Sequence, residues 1–109
     1  ARGLIRALGY RGPVPSPTFT LVQHYETDPA PVWHFDLYRI GHPDEVVELG
    51  FDEARADGIV LLEWSERLGA DLPATRLDIQ LDYAASGKTR VARLSGQRPW
   101  ADRLQDLRL

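Results

Sequence analysis

The stretch that most constrains the fold is Val32–Arg39, which reads Val-Trp-His-Phe-Asp-Leu-Tyr-Arg. It follows a proline-rich turn and is mainly apolar and aromatic, which predicts a β-strand. Side chains on a strand alternate between two faces. One face would carry Trp33, Phe35 and Leu37, and the other His34, Asp36 and Tyr38.

Asp36 is a carboxylate among aromatic residues near the end of this predicted strand. A buried acid costs free energy unless a partner satisfies it. In nucleotide-binding α/β folds, that partner is usually a magnesium ion or its bound water. The alternative interpretation is that Asp36 caps a turn or pairs with Arg39.

A second carboxylate, Glu63, follows the continuous apolar run Ile-Val-Leu-Leu at positions 59–62. Such a run predicts a strand buried on both faces. Ligands of open α/β sheets bind at the carboxyl ends of strands, so Asp36 and Glu63 together indicate a site. Glu63 could instead cap a helix or form an ion pair, and Trp64 could be either a core aromatic or a wall of the site.

Thr18 lies on a backbone stiffened by Pro17, directly before a β-rich run at positions 19–25. It could be an ordinary residue at the start of a strand. Alternatively, it is a switch-loop hydroxyl that contacts magnesium or a terminal phosphate.

The remaining pattern predicts short elements in a mixed α/β order. We expect a first helix ending at Gly9, a hairpin of residues 19–25 and 32–38, a helix from Pro43 to Gly50 and a helical turn at 51–54. We then expect a connection at 68–73, an antiparallel hairpin of 76–82 with 89–94, and a final helix opening at Pro99.

Composition limits the class of protein. The 109 residues indicate a single domain, and the net charge of −3 argues against a large nucleic-acid-binding face. The absence of cysteine excludes disulfides and thiolate metal sites and fits a reducing, cytoplasmic setting. No apolar run approaches the length of a membrane span. His24 and His34 match no strong metal-ligand spacing.

The chain contains no methionine and opens directly on a helical pattern without an N-cap. We therefore expect a fragment whose N-terminal element is missing.

The segment Ser-Gly-Lys-Thr at positions 86–89 imitates part of a phosphate-binding loop. The full motif places a glycine five positions before the second glycine, where this chain has Asp82. Because the segment also joins two predicted strands, we interpret it as a turn.

Taken together, the chain resembles the TsaE (YjeE) family of bacterial P-loop ATPases over roughly residues 1 to 95. The matching pieces, in the family's order, are residues 16–22, 34–39, 48–51 and 63–66 and the hairpin around Asp82-Tyr83. The block His-Phe-Asp-Leu-Tyr-Arg followed by Glu-Trp is the most specific of them.

The resemblance implies a P-loop NTPase-like sheet flanked by helices, with ATP and Mg²⁺ as cofactors. It implies a role in the threonylcarbamoyl modification of tRNA adenosine 37 together with TsaB and TsaD, where TsaD transfers the group and tRNA is contacted indirectly through the complex. By resemblance, Asp36 is the Walker-B-like acid of the magnesium shell and Thr18 the switch hydroxyl. Glu63 acts near the γ-phosphate or the attacking water, beside Trp64.

The chain departs from the family in lacking the first strand and the Walker A loop, so we expect it to be inactive alone. Two other functions stay open at this point. One is a non-catalytic adaptor that binds a partner through the C-terminal hairpin and helix. The other is a metal-dependent hydrolase using Asp36, Glu63 and a histidine.

Overall fold

The computed structural model describes residues 1–15 and 21–107, which fall into two compact units, Ala1–Leu72 and Pro73–Leu109. The first unit contains α1 (Arg2–Ala7), β1 (Val22–Tyr25), β2 (Val32–Asp36), α2 (Asp44–Glu48), α3 (Phe51–Asp57), β3 (Ile59–Glu63) and a 3-10 helix (Ser65–Asp71). The second contains β4 (Leu77–Tyr83), β5 (Arg90–Gly96) and α4 (Trp100–Gln105).

The first unit is built on a sheet in the order β1-β2-β3. β1 runs antiparallel to β2, which confirms the predicted hairpin for its described part. β3 runs parallel to β2, and the chain between them forms α2 and α3. β2 is therefore the central strand of the described sheet.

One face of β2 packs on the larger of two apolar clusters, here called the first core. Phe35 is fully buried there and meets Phe51 edge to face, with ring centroids 5.7 Å apart. The buried members of the first core are Phe35, Leu37, Ile40, Val46, Phe51, Ala54 and Leu68. Because burial of such a side chain contributes roughly 1.5–3 kcal/mol, this cluster fixes α2 and α3 on the sheet.

The opposite face of the sheet carries a smaller cluster, here called the second core. Its buried members are Ile5, Tyr25 and Val32, with Ile59 and Leu61 packed against them. Ile5 is the buried residue of α1, so this helix covers the face of β2 that also carries His34 and Asp36.

Two sequence predictions for this unit are wrong in detail. Residues 59–62 of β3 are half-buried rather than buried on both faces, because β2 is the strand that pairs with β3 among those described. Residues 65–71 form 3-10 turns, broken at Gly69, where a connection starting at Leu68 was expected, since Leu68 is 2% exposed and is held in the first core.

The helical turn predicted at 51–54 extends to Asp57 as α3. Phe51 and Ala54 lie one turn apart and are both buried in the first core, so packing lengthens the helix. Gly50 precedes it with a φ of 89°, a backbone conformation in which glycine carries no Cβ penalty.

The second unit confirms the predicted antiparallel hairpin. β4 and β5 pair from Leu77↔Gly96 to Tyr83↔Arg90, and Gly87 turns the chain with a φ of 72°. The segment at 86–89, which resembles part of a phosphate-binding loop, is thus the turn of a hairpin. α4 follows Pro99 as predicted.

Across residues 1–15 and 21–107, no helix has the length and apolar character needed to cross a membrane.

Gly58 generates a stability prediction, because a Cβ added there would lie 2.1 Å from the Pro31 carbonyl oxygen. That oxygen accepts the Ile59 amide at 2.8 Å and begins the β2–β3 pairing. We expect Gly58→Ala to lower the free energy of unfolding by about 1–3 kcal/mol, the usual cost of overpacking, as measured by urea denaturation. Gly3→Ala in α1, where a Cβ meets nothing within 4 Å, is the control and should be neutral or stabilising. Unchanged stability of Gly58→Ala would contradict the close approach.

Tyr25 generates a prediction for alkaline pH. Burial, and secondarily the nearby Tyr10, raise the pKa of Tyr25 above its ordinary value of 10.0. Its hydroxyl has no hydrogen-bond partner within the described structure. The folded state then holds this proton more tightly than the unfolded state, so the associated stability is complete below pH 10 and is lost as the pH rises toward the folded-state pKa.

We therefore expect Tyr25→Phe to be as stable as the parent at neutral pH, or more stable by up to about 1 kcal/mol. It should also lose less stability between about pH 9 and pH 11, measured by urea unfolding at each pH. Tyr38→Phe, which removes a hydroxyl at a 51% exposed position, is the matched control. Parallel pH profiles for the parent and Tyr25→Phe would refute the assignment.

Candidate functional site

Asp36 and Glu63 are the last residues of the two parallel strands β2 and β3. They lie directly opposite each other in the pairing register. Residues opposite each other in register project from the same face of the sheet. The structure therefore brings the two sequence-predicted carboxylates together at one edge and one face, on the side of the second core.

Asp36 is 7% exposed, and its Oδ1 accepts a hydrogen bond from the Tyr38 amide at 3.1 Å. This contact is the turn cap that the sequence left open as an alternative. The Leu37 amide donates to the Glu63 carbonyl at 3.0 Å, which continues the parallel pairing past the strand ends. The Asp36 carboxylate is thus held in place by the turn that follows β2.

Glu63 is held from the neighbouring strand by His34. The two side chains meet at 2.8 Å between His34 Nε2 and Glu63 Oε1. His34 is 3% exposed, whereas the Glu63 side chain is 48% exposed. If the Glu63 carboxylate is ionised it can only accept this hydrogen bond, so the contact fits the His34 tautomer that carries its proton on Nε2. His34 Nδ1 is buried and has no hydrogen-bond partner among the described residues.

Trp64 follows Glu63 with a left-handed backbone, φ 60° and ψ 42°. Such a conformation is rare for a bulky residue and costs about 1–3 kcal/mol. Its ring lies 4.8 Å from that of Tyr38, and the Arg67 guanidinium lies 5.6 Å from the Tyr38 ring centroid. Trp64 is 48% exposed, so it borders the strand ends and is not a core residue.

Thr18, the predicted switch hydroxyl, belongs to the segment 16–20, which is outside the described residues. The other sequence-predicted site residues, Asp36, Glu63 and Trp64, occupy one edge of the sheet. Their roles in ATP and magnesium binding stay predictions.

Sequence reasoning assigned His34 no role at the predicted ATP site, and a histidine entered only in the alternative of a metal-dependent hydrolase. The signal was present in the alternation of β2, which places His34 and Asp36 on one face. A parallel register for β3 then brings Glu63 beside both. That register depends on tertiary pairing and could not be read from either strand alone.

The pair of carboxylates suits a magnesium ion. Mg²⁺ prefers oxygen ligands and is commonly held by one or two carboxylates, water and substrate phosphates. Within residues 1–15 and 21–107, no group of three or more His, Asp or Glu is arranged to hold a metal ion. Asp36, with Glu63 beside it, fits an ion shared with phosphates better than an ion enclosed by protein ligands.

The sequence matches a family model described as "Threonylcarbamoyl adenosine biosynthesis protein TsaE" over residues 1–93. The chain belongs to the TsaE family. This confirms the family predicted from the sequence.

Two curated relatives of the same description illustrate the match. The TsaE protein of Haemophilus influenzae is 40% identical over 83 residues, covering 75% of this chain and 52% of the relative. The TsaE protein of Bacillus subtilis is 34% identical over 91 residues, covering 83% of this chain and 56% of the relative. The chain thus spans about half the length of these TsaE relatives.

Among solved structures, the crystal structure of Bacillus subtilis YdiB is similar with a TM-score of 0.74 and 24% identity. The similarity covers 96% of this chain and 64% of YdiB. It confirms the predicted α/β, P-loop NTPase-like fold.

The left-handed backbone of Trp64 generates a stability prediction. Glycine adopts this region at no steric cost, whereas an L-residue loses roughly 1–2 kcal/mol there. Trp64→Gly should therefore be more stable than Trp64→Ala by about 1 kcal/mol, as measured by urea unfolding. In α3, Glu53→Gly should be less stable than Glu53→Ala, which is the usual helical order. The same order at both positions would refute the strained conformation.

Proposed function

We propose that this chain supplies the magnesium-binding and water-activating side of an ATP site in a TsaE-family protein. The protein would bind and hydrolyse ATP during tRNA threonylcarbamoyladenosine biosynthesis. The observation that carries the proposal is the placement of Asp36 directly opposite Glu63 at the carboxyl ends of two parallel strands. That edge is where open α/β sheets bind their ligands.

In this proposal Asp36 holds the magnesium shell. Its carboxylate is buried, and the Tyr38 amide orients one of its oxygens. Bound Mg²⁺ would neutralise charge on the ATP phosphates. The protein's own contribution is to present the Asp36 carboxylate at the strand end without rearrangement.

Glu63 is proposed to orient the attacking water or accept its proton. Its side chain is half exposed at the strand end, and its Oε1 is engaged by His34. A group in this role must reach a water molecule while keeping a defined direction. The combination of an accessible carboxylate and one anchored oxygen supports this assignment.

Thr18 and Trp64 complete the proposed site, with Thr18 contacting Mg²⁺ or a terminal phosphate and Trp64 bordering the nucleotide. The sequence contains no complete G-x-x-x-x-G-K-[ST] motif, so the main grip on the phosphates would come from residues outside these 109. We therefore expect the chain alone to bind and hydrolyse ATP poorly.

TsaB and TsaD are the proposed partners, and tRNA would be contacted through their complex. The name of the TsaE relatives refers to tRNA threonylcarbamoyladenosine biosynthesis, which supports partners in that pathway. The absence of cysteine fits the proposed cytoplasmic location.

Substitutions of the two carboxylates should have different kinetic effects in the full-length protein that contains this chain, assayed with TsaB and TsaD. Asp36→Asn should weaken both magnesium-dependent nucleotide binding and turnover, because its role is in binding as well as in the transition state. Glu63→Gln should lower ATP turnover by about 10²- to 10⁴-fold, the usual effect of losing a general base. It should largely spare equilibrium binding of a non-hydrolysable ATP analogue.

The matched controls are the amide substitutions Asp52→Asn and Glu45→Gln at exposed helical positions, which should behave like the parent. Parental turnover by Glu63→Gln would overturn the role of Glu63. Parental behaviour of both Asp36→Asn and Glu63→Gln would favour the adaptor interpretation. A metal-dependent hydrolase would instead be indicated by hydrolysis that needs Asp36 and a divalent ion but no nucleotide.

A further inference from the structure

His34 is a buried polar residue on the central strand, and its side chain forms a hydrogen bond to Glu63. We propose that His34 is a positioning residue that fixes the Glu63 carboxylate for its task in ATP hydrolysis. This inference rests on the function proposed above for Glu63. No contact between His34 and the nucleotide is part of it.

The two ends of the contact differ in mobility. The His34 ring is enclosed on β2, which is paired on both sides. The Glu63 side chain ends a strand and is 48% exposed, so by itself it would sample several rotamers. Ordering such a side chain costs up to about 1.5–2 kcal/mol of conformational entropy. The bond from His34 Nε2 to Glu63 Oε1 restricts the Glu63 side chain to one orientation.

Stability alone gives little reason for a histidine at this position. A hydrogen bond to a half-exposed carboxylate contributes little to folding. At the same time, the His34 ring buries an Nδ1 atom that has no partner within the described part of the chain. A buried polar atom without a partner costs free energy of desolvation. We therefore attribute the role of His34 to the positioning of the Glu63 side chain.

His24 provides an internal comparison on the neighbouring strand. Its Nε2 also meets a glutamate oxygen, Glu26 Oε1, at 3.3 Å. Here both side chains are exposed, at 38% and 76%, and both lie away from the Asp36–Glu63 edge. The same pair of residue types is thus present once at the proposed site and once on the surface.

The test uses the full-length protein with TsaB and TsaD and compares His34→Leu with His34→Gln. His34→Leu removes the donor, and we expect kcat to fall about 10- to 100-fold, as for a misplaced catalytic group. The KM for ATP and the thermal unfolding midpoint should stay close to those of the parent. His34→Gln keeps an N–H donor at the end of the side chain and should restore most of kcat. His24→Leu is the control and should leave kcat unchanged.

A double-mutant cycle separates this inference from the proposed function. If His34 acts through Glu63, His34→Leu should cause no further loss of kcat in a Glu63→Gln background. Parental activity of Glu63→Gln would overturn the role proposed for Glu63, on which this inference rests. Slow hydrolysis by Glu63→Gln with parental kcat for His34→Leu would overturn only the positioning role. Equal losses for His34→Leu and His34→Gln, or fully additive losses in the cycle, would also overturn it.

A nucleotide-free readout tests the contact directly. Long-range proton–nitrogen NMR correlations of the His34 ring should show its proton on Nε2. This proton should exchange more slowly with solvent in the parent than in Glu63→Ala. A proton found on Nδ1, or an exchange rate unaffected by Glu63→Ala, would contradict the geometry on which the inference depends.

Discussion

The parallel pairing of β2 with β3 is the constraint on which the rest of the first unit depends. β2 buries Phe35 on one side and Val32 and His34 on the other, and it needs a covering layer on both faces. α2 and α3 provide one layer through the first core, and α1 provides the other through Ile5. Once these helices are in place, the register of β3 decides which residues meet at the strand ends.

The carboxylate site follows from this pairing and from three polar residues on the second-core face of the sheet, namely His34, Asp36 and Glu63. Apolar residues of the second core occupy the start of β2 and β3, and polar residues take over toward the carboxyl ends. The change occurs within a single strand, from Val32 to Asp36. The buried Asp36 carboxyl group is therefore placed at the border of the sheet, where the Tyr38 amide donates a hydrogen bond to it.

Much of the fold could be predicted from local pattern, because alternation and turn residues act over a few positions. The hairpin of β4 and β5 and the helix after Pro99 follow directly from such signals. The burial of β3 was predicted incorrectly, since an apolar run does not reveal how many strands will flank it. The 3-10 helix was missed because the anchoring of Leu68 in the first core is a tertiary effect.

At the candidate site, sequence reasoning identified the acids but not their support. Asp36 and Glu63 were found because each follows an apolar strand. The bond between His34 and Glu63 depends on the β2–β3 register. The left-handed backbone at Trp64 could not be predicted, because the residue there is neither glycine nor asparagine. Sequence pattern therefore placed the two carboxylates at strand ends, while the contacts around them depended on packing.

His34 and Glu63 also affect how accurately β2 and β3 pair during folding. The side-chain period of a strand is two, so a slip of one residue between β2 and β3 would reverse every side chain of β3. In the slip that brings Leu62 opposite Asp36, Glu63 would face the side of the first core without the His34 donor. Such a mispaired sheet is penalised by desolvation. The same residues that form the candidate site thus discriminate against the wrong strand alignment while the sheet assembles.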